Sequence, residues 1–305
     1  MIAPTARAKI EAALEAWKRG TELLSCSALA GGISADPYLL SVRFKNGQTG
    51  QLIARFLGDY AKSLGSDSAR NQFRILQFVK AAGLPSPEAL YLPDEQEEPF
   101  FLMSFLEGAP TANPQDPQAY IRDFAHQLAK VHQTPLTPEM ENLLPKPELP
   151  WKPWREALNS DLREPEVVQA ILNFPTSHKN PYVLRHGDFW PGNVLCQQGK
   201  ITGIIDWEEA CLGDPLADLA ISRLDIWWIL GREAAEDFTG CYLDYNPLDT
   251  FDLTYWDLRT SLRPMANLED WVGNYASLGR PDITFEGMRR DLLDFTDLAL
   301  KSAKG

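Results

Sequence analysis

The sequence predicts an α+β fold in which a small antiparallel sheet is followed by a larger, mainly helical region. Two apolar segments, "PYLLSVRF" and "GQLIARFL", flank Asn46-Gly47, a dipeptide that favours a two-residue hairpin turn. The next segment, "SARNQFRILQFVKAAG", has apolar residues at helical spacing. From about residue 117 the periodicity is helical, except for short predicted strands at "NVLC" and "ITGIIDW".

The other elements follow from the same patterns along the chain. The first segment predicts a helix, because four of its apolar residues share one face: Ile10, Ala13, Leu14 and Trp17. "PFFLMSFLEG" predicts a strand that runs into a connector near 104–108, and "AYIRDFAHQLAKVHQ" predicts a helix. The proline-rich "TPLTPEMENLLPKPELPWKPW" predicts an irregular insert. With 305 residues, we expect two lobes, at 1–104 and 105–305.

The composition disfavours several classes of protein. The net charge is −13, and residues 181–305 carry 11 basic residues against 21 acidic ones. This balance disfavours partners such as nucleic acid and anionic membranes; it keeps the chain soluble and favours a cationic small molecule. The sequence lacks a bilayer-length apolar run and a recognisable signal peptide, so we expect a cytoplasmic protein. The four cysteines lack metal-site spacing, and the oligomeric state stays open.

The segment "VLRHGDFWPGNVLCQQGKITGIIDW", residues 183–207, has the spacing of a kinase catalytic loop. Four residues separate Asp188 from Asn193, and His186 precedes Asp188 by two positions. Asp206 follows the apolar "ITGII", where kinases place a metal-binding aspartate. Phosphoryl transfer requires metal ions on the phosphates and a group that orients the acceptor hydroxyl. Carboxylate and amide oxygens suit Mg²⁺, so this combination points to phosphoryl transfer.

Taken together, the motifs H-G-D-F-x-P-G-N, I-I-D-W-E and G-D-P-x-x-D-L-A resemble the aminoglycoside phosphotransferase and choline kinase superfamily. The resemblance extends from "LAGGIS" to "DLA", which is most of the chain. It implies a protein-kinase-like, two-lobed fold that binds ATP between the lobes, with GTP as the alternative nucleotide. It also implies Mg²⁺-dependent transfer of the γ-phosphate to a hydroxyl of a small molecule that is aminoglycoside-, sugar- or amino-alcohol-like.

The resemblance assigns roles to individual residues. Asp188 would be the catalytic base, while His186 and Asp218 would hold the catalytic loop by hydrogen bonds. Asn193 and Asp206 would bind Mg²⁺. Glu208 is left open between a helper of the metal site, acting directly or through water, and a surface charge. The residues expected to contact the nucleotide through a glycine-rich turn and a hinge are Gly31, Gly32, Ser34, Met103 and Phe105.

Two positions depart from the superfamily pattern. Relatives usually place Lys on the third strand and Glu on the packed helix, whereas this chain has Arg55 and Gln72. We expect both to serve the nucleotide site, because Arg55 keeps a positive charge for the phosphates. The departure also leaves open a second function, a nucleotide-binding pseudokinase with a regulatory or scaffold role. Four tryptophans are expected in the core, and a place in the acceptor pocket is left open for some of them: Trp227, Trp228, Trp256 and Trp271.

Overall fold

The computed structural model describes residues 4–29, 35–63, 65, 67–94, 98–146, 151–153, 155, 157–177 and 179–304. They form two compact units. The first consists of Met1–Glu107 and Gly203–Glu208, and the second of Gly108–Thr202 and Glu209–Gly305. The short segment that carries Asp206 and Glu208 therefore belongs to the first unit, whereas the sequence-based division placed it in the second.

The first unit is built on a five-stranded antiparallel sheet with the strand order β1-β2-β3-β5-β4. Its strands are β1 (Glu22–Ala28), β2 (Ala35–Arg43), β3 (Thr49–Leu57), β4 (Ala89–Tyr91) and β5 (Phe100–Ser104). The predicted hairpin joins β2 to β3. Gly47 adopts a φ of 84°, and the Asn46 side chain accepts a hydrogen bond from the backbone N–H of Gln48 at 3.1 Å.

Helices α1 (Pro4–Trp17), α2 (Asp59–Ser63) and α3 (Ser68–Ala81) complete this unit. Ile10 and Leu14 of α1 are fully buried in one hydrophobic core with alternate residues of β3, Leu52, Ala54 and Phe56. Because successive side chains of a strand point to opposite faces, the intervening Arg55 belongs to the other face of the sheet. Its contact with α3, described below, agrees with this placement.

The second unit is mainly helical, with two small two-stranded sheets. Its helices are α4 (Pro117–His132), α5 (Pro138–Leu143), α6 (Glu164–Asn173), α7 (Leu216–Leu230), α8 (Arg232–Tyr245), α9 (Leu253–Met265), α10 (Leu268–Ser277) and α11 (Phe285–Ser302). Strand β6 (Val183–Arg185) pairs with β9 (Cys211–Gly213), and β7 (Val194–Gln197) pairs with β8 (Lys200–Ile204), of which the last two residues are counted in the first unit. Helix α7 is buried on nearly all sides and forms the centre of the unit.

The architecture confirms the predicted α+β class, but one segment was assigned wrongly. The proline-rich segment, expected to be irregular, contains α5. Thr137 caps this helix by accepting a hydrogen bond from the Met140 N–H at 3.3 Å, and Pro138 occupies the first turn, where it requires no N–H. Within the described ranges, no helix combines the length and the apolar character of a bilayer-spanning segment.

A carboxyl group lies buried in the second unit. Asp225 of α7 is 4% exposed, and Tyr275 Oη of α10 donates a hydrogen bond to its Oδ1 at 2.5 Å. Burial, with a contribution from the charge of Asp188, raises the pKa of Asp225 to about 7 despite the opposing effects of Tyr275 and Arg263. The folded chain therefore keeps a proton on Asp225 at pH values where the unfolded chain has released it.

This proton makes a pH-dependent contribution to stability. The stabilisation should be complete below about pH 4, the usual pKa of an unfolded aspartate, and should disappear as the pH rises through about 7. Asp225→Asn removes the titration, so its free energy of unfolding relative to wild type should increase from pH 5 to 7 and then level off. Urea unfolding at pH 5, 6, 7 and 8 measures this, with Asp244→Asn, at an exposed carboxylate, as the control. A difference that is constant over this range would contradict the prediction.

Candidate active site

A pocket in the first unit brings together several of the residues singled out in the sequence. Strand β3 supplies Arg55, α3 supplies Gln72, and the segment 203–208 supplies two carboxylates. The pocket is lined by Arg55, Gln72, Leu76, Pro87, Phe101, Met103, Asp206, Trp207 and Glu208. Charged groups therefore share this pocket with apolar and aromatic side chains.

Arg55 joins the two carboxylates of this pocket. Its Nη2 donates to Asp206 Oδ1 at 2.7 Å and to Glu208 Oε2 at 2.8 Å. Its Nε is 3.4 Å from Gln72 Oε1, a much longer contact. Sequence reasoning paired Arg55 with Gln72 alone; the carboxylate contacts carried no sequence signal because more than 150 residues separate the partners.

The carboxylate of Asp206 is presented by a tight turn. Asp206 has a φ of 63°, a left-handed conformation that non-glycine residues seldom adopt and that costs about 1–3 kcal/mol. Hydrogen bonds on both sides hold the turn: Trp207 Nε1 donates to the Ile204 carbonyl at 3.0 Å, and the Ile204 N–H donates to the Pro85 carbonyl at 2.6 Å. These two hydrogen bonds therefore stabilise the strained turn.

Asp206 and Glu208 have the donor chemistry of a magnesium site. Both offer hard carboxylate oxygens, and both approach the same cationic nitrogen, so one cation is within reach of both. Mg²⁺ in kinases uses one or two carboxylates together with phosphate oxygens and water. Across the described ranges, no group of three or more His, Cys, Asp and Glu side chains is arranged to hold a metal ion. The pair thus fits an ion that a nucleotide helps to hold.

The second unit contains the loop with Asp188 and Asn193. Asn193 Nδ2 donates to Asp188 Oδ2 at 3.0 Å and to the Asp188 carbonyl at 2.9 Å. Neither contact uses the amide oxygen of Asn193, the atom that suits a metal ion. Before Asp188, Gly187 adopts a φ of 85°, and a Cβ there would lie 2.2 Å from the Glu209 carbonyl oxygen. Only glycine fits this position.

Arg263 of α9 forms an ion pair with Asp188. Its Nη2 is 2.7 Å from Asp188 Oδ1, so the two oxygens of the carboxylate are held by different partners. Burial alone would lower the pKa of Arg263, but the carboxylates of Asp188, Glu209 and Asp225 together outweigh it and raise that pKa above its usual range. No pattern in the sequence predicts this contact, because it joins a loop to a helix 75 residues away.

Asp218 of α7 ties the backbone that leads into this loop. Its fully buried carboxylate accepts hydrogen bonds from the N–H groups of His186 at 2.7 Å and Gly187 at 3.2 Å. Arg185 donates to it through Nε at 3.0 Å, and His132 Nε2 lies 3.4 Å away. Burial alone would raise the pKa of Asp218, but the charge of Arg185 and the hydrogen bond from His132 hold it well below its usual value.

The structure says less about the roles of the remaining predicted residues. Gly31, Gly32 and Ser34 lie outside the described residues. Met103 lines the pocket of the first unit, whereas Phe105 is half-buried just after β5 and is not one of its lining residues. Of the tryptophans, Trp227, Trp228 and Trp256 are buried, and Trp271 is half-buried.

Known proteins resemble this chain in sequence and in fold. "Acyl-CoA dehydrogenase family member 10" of Mus musculus is 27% identical over 173 residues, 50% of this chain and 16% of that protein. "Homoserine kinase" of Neisseria meningitidis serogroup B is 28% identical over 174 residues, 52% of this chain and 54% of that protein. The matched region thus spans about half or less of these relatives.

A solved structure of spectinomycin phosphotransferase, in complex with ADP and spectinomycin, has the same fold. Its TM-score is 0.64 at 14% identity, over 97% of this chain and 98% of that one. Residues 25–249 match the APH family, described as the phosphotransferase enzyme family. This match covers most of the chain and agrees with the resemblance identified from the motifs. The protein therefore belongs to the APH phosphotransferase enzyme family.

Proposed function

We propose that this protein is a Mg²⁺-dependent kinase that transfers the γ-phosphate of ATP to a hydroxyl group of a small molecule. The observation that carries the proposal is the ordered Asp188 carboxylate, which Asn193 and Arg263 hold from either side. Family membership and the acidic pair of Asp206 and Glu208 support it. GTP remains the alternative phosphate donor.

In this reaction Asp188 orients the acceptor hydroxyl and takes up its proton. The hydroxyl oxygen forms a bond to the γ-phosphorus in line with the bridging oxygen, whose bond to that phosphorus breaks, and ADP leaves. Arg263 and Asn193 keep the carboxylate in one orientation, which makes the hydroxyl's approach productive. Mg²⁺, when bound, would offset the negative charge of the phosphates.

Asp206 and Glu208 would hold the metal, and the family pattern gives Asn193 a metal-binding role. Arg55 would then contact the nucleotide phosphates. The glycine-rich turn at Gly31 and Gly32 would cover the phosphates. The adenine ring would rest on the apolar side of the first unit's pocket, near Met103.

For the acceptor, we infer a chemical class of compounds and not a single compound. Similar proteins are named homoserine kinase and spectinomycin phosphotransferase, so amino alcohols, sugars and aminoglycoside-like compounds are the first candidates. A second candidate function, a nucleotide-binding pseudokinase, is favoured by one observation: Arg55 already neutralises both carboxylates that a metal would need. Tight Mg-ATP binding without ADP release in any pool of hydroxylated metabolites would favour the pseudokinase.

Asp188→Asn tests the proposed base. It should leave the Kd for Mg-ATP nearly unchanged, because the side chain serves the acceptor, and should lower kcat by ~10²–10⁴. ADP release with hydroxylated metabolite pools gives kcat, and calorimetry gives the Kd. Asp244→Asn, at an exposed aspartate, is the matched control. A kcat close to that of wild type would remove Asp188 from the role of base.

Arg55→Ala tests the phosphate contact. Charge-assisted hydrogen bonds are worth ~1.5–3 kcal/mol, so Mg-ATP affinity should fall roughly ten- to a hundredfold at ~1.4 kcal/mol per decade. Arg55→Lys should recover much of this affinity, and Gln72→Ala should have a smaller effect, because its contact with Arg55 is the longest of the three. Superimposable ATP titrations of wild type and Arg55→Ala would show that another residue holds the phosphates.

A further inference from the structure

Helix α9 carries two arginines one turn apart. Arg259 and Arg263 are four residues apart, so they lie on the same face, separated by about 5–6 Å between their Cβ atoms. Arg263 contacts Asp188 Oδ1 at 2.7 Å. The face of α9 that carries Arg259 is therefore the face that approaches the proposed catalytic base.

Arg259 has no carboxylate partner among the described residues. Its guanidinium contacts Tyr255 Oη at 3.2 Å, and its Cζ lies 5.1 Å and 5.2 Å from the ring centroids of Trp151 and Trp256. Other largely buried arginines of the second unit each hold a carboxylate; these pairs are Arg185–Asp218, Arg223–Asp257 and Arg263–Asp188. Arg259 is thus a cation that contacts aromatic side chains, and these side chains supply no counter-ion.

A second arginine near Arg259 adds to the positive charge around it. Arg185 also approaches Trp256, with its Cζ 5.8 Å from the ring centroid. Burial lowers the pKa of Arg259; Tyr255 opposes this shift in part, and the positive charge of Arg185 adds a smaller lowering effect. A buried charge without a counter-ion is costly, and a bound anion would offset the cost. Arg259 and Trp151 are only half-buried, so the guanidinium can be reached from solvent.

We propose that Arg259 binds an anionic oxo group, a carboxylate or a phosphate, carried by the acceptor whose hydroxyl approaches Asp188. The planar guanidinium donates two parallel hydrogen bonds to such a group, and the rings of Trp151 and Trp256 border it. This proposal rests on the proposed kinase function. The net charge of the chain favoured a cationic acceptor, whereas this cluster favours an anionic one, because local contacts decide recognition.

The test uses the whole chain and a library of small hydroxycarboxylates and polyol phosphates, each with a neutral and a cationic counterpart. Thermal shift and calorimetry measure binding without nucleotide, and ADP release with Mg-ATP measures turnover. Wild type should bind at least one anionic member more tightly than its counterparts. Arg259→Gln should raise the Kd and KM for that member at least tenfold, and Arg259→Lys should recover part of the loss. Tighter binding of the hydroxycarboxylates would identify the bound group as a carboxylate, and tighter binding of the polyol phosphates would identify it as a phosphate.

Two controls separate recognition from folding and net charge. Arg290→Gln removes the same charge from an exposed position on α11 and should leave every Kd unchanged. The unliganded Tm of Arg259→Gln should equal or exceed that of wild type, because the change removes a partly buried cation without breaking an ion pair. A lower Tm with unchanged ligand affinity would show that Arg259 serves packing, and the proposal would be wrong.

The remaining outcomes distinguish this proposal from the kinase function. ADP release with the same KM in wild type and Arg259→Gln would keep the kinase and overturn the anion site, as would failure of every anionic member to bind. Arg259-dependent anion binding without ADP release from any compound would support the anion site and count against the kinase. A weaker Mg-ATP Kd in Arg259→Gln, with acceptor binding unchanged, would assign Arg259 to the nucleotide and overturn the proposal.

Discussion

The buried carboxylate of Asp218 is the interaction on which the geometry of the catalytic loop depends. It lies on α7, the central helix of the second unit, and accepts hydrogen bonds from two successive backbone N–H groups, those of His186 and Gly187. The desolvation of this charge is compensated by Arg185, which is itself buried. The backbone immediately before Asp188 is thereby anchored to the buried central helix of its unit. Removal of either Asp218 or Arg185 would leave an unpaired buried charge and free the loop. The two residues therefore depend on each other.

A second regularity is that the carboxylates of the candidate site are matched with arginines. Asp206 and Glu208 share Arg55 in the first unit, and Asp188 holds Arg263 in the second. Clustered carboxylates repel one another, and a guanidinium that donates to two oxygens relieves this repulsion. The arginine in place of the usual strand lysine is thus more than a conservative change, because its forked donors reach the acidic pair while its Nε still approaches α3.

The parts that could be predicted from the sequence are those encoded by neighbouring residues. Asn46-Gly47 marked the hairpin, helical spacing marked the long helices, and the spacing of Asp188 and Asn193 marked the loop. Short elements such as β6 and β9 were missed, because three residues contain no measurable period. Arg263 was missed for a different reason: tertiary packing brings it to Asp188 from a distant helix. Left-handed backbone at Asp206 was equally invisible, because surrounding hydrogen bonds impose it against the residue's own preference.

The position of two arginines on one helix has a consequence for how acceptor choice can diverge. Position 263 is constrained by Asp188, but position 259 makes no ion pair with the described protein residues and can vary without disturbing the base. A change of side chain there alters the charge presented to a ligand and leaves the reacting groups as they are. Helix α9 therefore places the residue that holds the proposed base one turn away from the residue that we propose binds the acceptor. On this proposal, a substitution at this one helical position would change the acceptor while the catalytic loop stays the same.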